Sequence, residues 1–161
     1  MADIVALQET HDTECNVRVL LQEYNFESLS APGDRNWGGC NILVSKRIKR
    51  DRAEHVVVEP GRAHFVSLFR DNERICTIIN LHLHESGSAG IILNKIHNSI
   101  RSFNDTPIFF LGDWNNVTSP TTASQSTVWY QLVVSLLHMF SFNGFFHNSP
   151  SCTSRISLAL P

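Results

Sequence analysis

The chain has 161 residues, 42% hydrophobic and 17% charged, the makeup of one ordinary globular domain. Its net charge of −2 supplies no global field toward nucleic acid, so any such attraction has to be local. Cys15, Cys40, Cys76 and Cys152 form no Cys-x-x-Cys pair, which argues against a zinc knuckle or a disulfide scaffold and suits a reducing compartment. The N-terminus has no basic region or cleavage site and enters an apolar run directly, so no signal peptide is expected. The most apolar stretch, residues 128–142, is interrupted by Gln131, Ser135, His138 and Ser141 and falls short of the ~20 apolar residues that span a bilayer. An intracellular protein, cytoplasmic or nuclear and with no membrane partner, is expected.

Residues 3–9, Asp-Ile-Val-Ala-Leu-Gln-Glu, read as a strand beginning almost at the first residue. Ile4, Val5, Ala6 and Leu7 leave no polar face, which implies burial on both sides. Glu9 follows where that strand should emerge, as a solvated strand end or as a ligand held over a pocket. Asp12 or Thr13 can cap a helix to about Tyr24, with Val17, Leu20 and Leu21 as its buried stripe. A loop rich in Ser, Pro and Gly follows, and Gly38-Gly39 precedes a strand over 40–45. Next comes the basic cluster Lys46, Arg47, Lys49, Arg50 and Arg52. It reads as a solvated hairpin tip or, more sharply, as a salt-dependent and non-specific contact to a phosphate backbone.

Residues 53–59, 62–70 and 74–83 look like successive strands, with turns at Pro60-Gly61 and Asp71-Asn72-Glu73. Period two in the last of them sends Asn80, His82 and His84 to one side. Polar groups gathered at a strand end are hard to hide in a core, because each needs a partner. His-x-His spacing also suits zinc, but no third ligand is evident nearby. Ser86 or Ser88 can cap a helix to about Phe103, with Leu93, Ile96, Ile100 and Phe103 as its apolar stripe. Residues 108–116, Ile-Phe-Phe-Leu-Gly-Asp-Trp-Asn-Asn, then form a short buried strand that Gly112 breaks. In extended geometry Asp113 and Asn115 leave the same side, where they can hold and aim a water; the plainer reading is an Asx turn. Beyond lie a Ser/Thr/Pro loop, an apolar helix over 127–140, a turn at Asn143-Gly144 and a weakly patterned tail.

Three ordered motifs now stand together: Asp3-Ile4-Val5-Ala6-Leu7-Gln8-Glu9-Thr10-His11, Asn80-Leu81-His82-Leu83 and Leu111-Gly112-Asp113-Trp114-Asn115. The set resembles the endonuclease/exonuclease/phosphatase superfamily, which includes deoxyribonuclease I and the apurinic endonucleases. Leu-Gln-Glu-Thr-His, with Gly38-Gly39 before Ile42-Leu43-Val44-Ser45-Lys46, is most similar to the endonuclease domain of non-LTR retrotransposons. The resemblance is clear over residues 3–116 and faint to about 153, a single partial domain over 1–161.

The resemblance implies an α+β fold of two mixed β-sheets packed as a sandwich with outer helices, in α/β/β/α layers, incomplete at both ends. It implies that Glu9 binds a catalytic Mg²⁺ (or Mn²⁺) and that Asp113 orients or deprotonates the attacking water. Asn115 would hydrogen-bond the scissile phosphate with Asn80 nearby, and His82 would assist the phosphate or leaving group. Glu9, His82, Asp113 and Asn115 should therefore converge on one concave site. The family's first strand, with its metal-site asparagine, and its terminal Ser-Asp-His motif are not seen, so the chain reads as a fragment with little or no activity alone. The implied function is Mg²⁺-dependent DNA nicking, with DNA as partner and a reverse transcriptase in a longer polyprotein. The alternatives are a non-catalytic remnant that binds nucleic acid weakly through 46–52, or a phosphatase or phospholipid-cleaving enzyme of the same fold.

Overall fold

Strands β1 (Ile4–Gln8), β2 (Phe26–Ala31) and β3 (Cys40–Ser45) form one sheet in the order β1-β3-β2. The computed structural model describes residues 3–11, 25–34, 37–83, 89–103 and 106–113, so the helices expected over 12–24 and 127–140 lie outside it. β3 is buried along its whole length between two antiparallel neighbours. β2 corrects the expectation of a loop after residue 24. Its serines lower β-propensity, yet all 6 positions pair with β3 and Leu29 packs into the core, so tertiary pairing overrides composition.

The second sheet runs β4 (Arg52–Glu59), β5 (Ala63–Arg70), β6 (Glu73–His82) and β7 (Ile108–Asp113) in that spatial order. β4, β5 and β6 form an antiparallel meander, whereas β7 lies parallel to β6. A parallel neighbour needs a crossover, and α1 (Ala89–Ile100) lies within it. Strand bounds fall within a residue of those expected over 53–83, and the helix ends at Ile100 rather than near Phe103. Among the described residues only this second sheet is mixed; the first is antiparallel throughout.

Ile42 and Val44 of the first sheet meet Val66, Leu68 and Ile78 of the second, and this apolar layer joins the sheets face to face. The other face of the second sheet presents Phe65, Ile79 and Leu81 to Ile92, Leu93, Ile96 and Ile100 of α1. The result is the expected sandwich with a helix outside. Truncating one of these buried Leu or Ile side chains to Ala costs ~2–5 kcal/mol. The C-terminal ends of β1, β6 and β7 share one end of the sandwich with the N-terminal ends of β3 and β5, as Gln8↔Cys40, Leu81↔Ala63 and His82↔Asp113 pair there. No helix among the described residues is long and apolar enough to cross a membrane.

Candidate active site

Alternation along β1 turns Ile4 and Gln8 toward the second sheet, while Leu7 is 38% exposed on the outer side. Glu9 should follow Leu7 outward. Its φ of 50° breaks that alternation, a left-handed backbone that costs a non-glycine residue roughly 1–2 kcal/mol. The carboxylate Oε1 then lies 3.5 Å from His82 Nε2, close enough for charge pairing though long for a hydrogen bond. Backbone bonds from Thr10 N–H to the Gly39 carbonyl (3.2 Å) and from His11 N–H to the Gly38 carbonyl (3.0 Å) hold the turned segment.

His82 is the buried partner, with its side chain 7% exposed against 60% for Glu9. Its backbone N–H donates to the Arg62 carbonyl at 2.7 Å, and across the parallel ladder it stands in register with Asp113. Asp113 follows Phe109 and Leu111 on the face turned toward the first sheet. Leu83 N–H donates to the Asp113 carbonyl at 2.9 Å, which continues the ladder past the named strands. Gly112, with φ of 136°, makes this approach possible, because a Cβ there would overlap the Leu81 carbonyl. Glu9, His82 and Asp113 are thus gathered at one end of the sandwich. Asn115 and His84 lie outside the described residues.

Asn80 behaves differently from its expected role beside a phosphate. It is fully buried; its Oδ1 accepts from Gln8 Nε2 at 2.6 Å, and its Nδ2 donates to the carbonyls of Leu7 (2.9 Å) and Asn41 (3.0 Å). One carboxamide therefore fastens β6 to β1 and β3, directly below Glu9 and His82. Binding a phosphate would require it to leave these partners. Asn41 extends the network by donating from Nδ2 to Thr10 Oγ1 at 3.2 Å. Gln8 and Asn41 carried no functional expectation. Period two from Ile4 was the available signal for Gln8, since it places a polar group on the inward face. Nothing local announces the left-handed turn at Glu9.

Beyond Asn80 the polar chain continues through His64, whose Nδ1 lies 2.9 Å from His55 Nε2. Burial holds the His64 imidazole down to about 3, with His55 beside it adding to the effect. Burial likewise lowers His55. Cys40, whose thiol donates to the Gly61 carbonyl at 3.3 Å, is pushed up to about 12 by burial, and the Glu9 carboxylate adds to this. It stays a protonated thiol, unsuited to act as a nucleophile.

The basic cluster lies at the opposite end, one strand length from Glu9. The span of β3 from Cys40 to Ser45 separates them by roughly 17 Å at ~3.3 Å per residue. Several of its cations are engaged within the protein. Arg47 bonds Asp3 at 2.8 Å, Arg50 holds Glu27 and the Ser45 carbonyl, and Arg52 pairs with Glu54 at 3.2 Å over the Phe69 ring. Lys46 and Lys49 are exposed. Among the described residues no group of three or more His, Cys, Asp or Glu is gathered as a ready cage for a metal.

No protein-family model matches the chain, and no curated protein does. Among solved structures it is similar to ANGEL2, a 2′,3′-cyclic phosphatase, in complex with adenosine-2′,3′-vanadate. The TM-score is 0.54 at 15% identity, over 81% of this chain and 44% of that one. It is also similar to the human Nocturnin catalytic domain with bound sulfate (TM-score 0.47, 15% identity, 77% and 57% covered). A truncated Caenorhabditis elegans TDP2 gives a TM-score of 0.47 at 20% identity, with 69% and 48% covered. The chain spans well under two thirds of each of these structures. Its likeness to ANGEL2 establishes the fold as the deoxyribonuclease I-like sandwich.

Proposed function

We propose that this end of the sandwich is the site of a divalent-metal-dependent phosphoester hydrolase. The observation that carries the reading is the meeting of Glu9, His82 and Asp113, which three distant segments bring to one end of the two sheets. A fully structural role explains them poorly, because Glu9 adopts a strained backbone while its carboxylate stays largely exposed. The finer reading is a DNA-nicking endonuclease of the non-LTR retrotransposon type, supported by Leu7-Gln8-Glu9-Thr10-His11 and Gly38-Gly39.

The donor chemistry suits Mg²⁺, or Mn²⁺ as a substitute. Mg²⁺ keeps several waters and takes one or two carboxylates plus phosphate oxygens, so an accessible Glu9 serves without a closed cage. Bound there, the metal would neutralise charge developing on the phosphoryl oxygens. Asp113 takes the proton of the attacking water as its oxygen bonds to phosphorus. His82 gives a proton to the ester oxygen that leaves as the old P–O bond breaks. Glu9 Oε1, 3.5 Å from His82 Nε2, can pair with that nitrogen and orient the ring.

The test is hydrolysis of supercoiled plasmid DNA beside phospholipid and phosphoinositide, with Mg²⁺ and long incubation. Slow nicking is expected, and Glu9→Gln and Asp113→Asn should each lower it ~100-fold or more. Nicking that survives both substitutions would overturn the assignment. Cleavage of lipid in its place would overturn the nucleic-acid reading alone.

A further inference from the structure

Trp37 stands at the same end of the sandwich with 46% of its surface exposed, an unusual setting for so large an apolar ring. Among the described residues it joins neither hydrophobic cluster. Among the described residues the other exposed large apolar side chains, Leu7, Val56, Val57 and Ile91, belong to β1, β4 and α1, so the indole joins no broad greasy patch there. Its backbone is nevertheless well placed. Trp37 N–H donates to the Asp34 carbonyl at 3.2 Å, and the Trp37 carbonyl packs so tightly on Gly33 that a Cβ there would overlap it.

Gly33 in turn presses on Gly61, where a Cβ would come within 2.7 Å of the Gly33 Cα. Gly39 N–H donates to the Gly61 carbonyl at 3.0 Å, which locks this junction to the start of β3. Arg62 follows at once. Its guanidinium carbon lies 5.2 Å from the Trp37 ring centroid, and its carbonyl accepts from His82 N–H at 2.7 Å. A single residue thus links the indole to the backbone of His82, and its contact with the indole is a cation over an aromatic face. The exposed remainder of the ring is open to a second flat group.

From these contacts we infer that Trp37 and Arg62 form a stacking subsite for a nucleobase flanking the phosphodiester at Glu9 and His82. An indole backed by a guanidinium binds a planar base through its face whatever the base's identity, while the cation favours the neighbouring phosphates. Phospholipid and inositol headgroups have no aromatic plane to place there. The inference rests on the hydrolase reading for the position of the phosphate and selects nucleic acid as its substrate class.

The experiment compares a labelled oligothymidylate with an abasic oligomer of equal length and phosphate number. Anisotropy is read in EDTA at fixed ionic strength, for the parent chain, Trp37→Ala and Trp37→Phe. The parent should bind the base-bearing strand about tenfold more tightly, within the range of one aromatic platform. Trp37→Ala should erase that preference, and Trp37→Phe should keep most of it. No preference in the parent, binding of neither oligomer, or equal weakening of both by Trp37→Ala overturns the subsite. Failure of the hydrolase reading shows separately, as a base preference that persists while no Glu9-dependent nicking is found.

Discussion

The two ends of this sandwich use charge in opposite ways. At one end Arg47, Arg50 and Arg52 sit close in sequence, yet Asp3, Glu27 and Glu54 pair with them, with Arg47 and Arg52 half-exposed and Arg50 largely buried. At the other end Glu9, His82 and Asp113 come from distant segments, and the backbone is bent or pressed close to bring them together. Density of charge marks the first end; constraint on placement marks the second. Constraint is the better guide to chemistry, because strain survives only where surrounding structure enforces it.

The contrast should break most visibly at Gly112. Gly112→Ala puts a side chain into the Leu81 carbonyl at a backbone angle that L residues rarely adopt, and should destabilise by about 4 kcal/mol or more in urea unfolding. A loss under ~1 kcal/mol would show that β7 does not press on β6 at the site.

Acid should come next. His64 is held near 3 in the fold against 6.5 when free, so the unfolded chain binds the extra proton between those values. Its contribution is therefore fully present above pH 6.5 and is lost as pH falls through the window toward 3, a cost on the order of several kcal/mol. A His64→Phe chain should show a flatter stability profile across that window. An unchanged slope would remove His64 from the explanation.

Asn80→Leu should cost about 2–3 kcal/mol, since the Leu7 and Asn41 carbonyls lose a buried donor and Gln8 loses its acceptor. If Asn80 only fastens the sheets, the loss should appear equally in chains that already lack Glu9. The smallest effect belongs to the opposite end. Arg47→Glu breaks a pair more than half exposed on both sides and should change stability by less than ~0.5 kcal/mol. If that end nevertheless contacts a phosphate backbone, charge reversal at Lys46 and Lys49 should flatten the salt dependence of DNA binding.

Much of this architecture was legible beforehand where local and tertiary preferences agree. Ile75–Leu83 and Ile108–Leu111 are rich in β-branched and apolar residues, and the strands fall there. Phe26–Ala31 reads as loop in the sequence because Ser28 and Ser30 weaken a strand signal that pairing with β3 restores. Glu9, His82 and Asp113 were named as candidates from strand ends and motif order. The left-handed Glu9 and the fastening role of Asn80 are not legible in the sequence, since both depend on partners tens of residues away. The ion pairs of the basic cluster are not legible for the same reason: its acidic partners Asp3 and Glu27 are separated from it in sequence.

The union of Glu9 with His82 at the proposed metal-binding end is tested most directly by following the His82 imidazole by ¹H–¹³C NMR during Mg²⁺ titration. The parent chain and Glu9→Gln are compared, with His55 and His64 as internal references. Saturable movement of the His82 signals is expected in the parent, little or none in Glu9→Gln, and none at His64 in either. Identical His82 titrations with and without the Glu9 carboxylate would contradict the assignment.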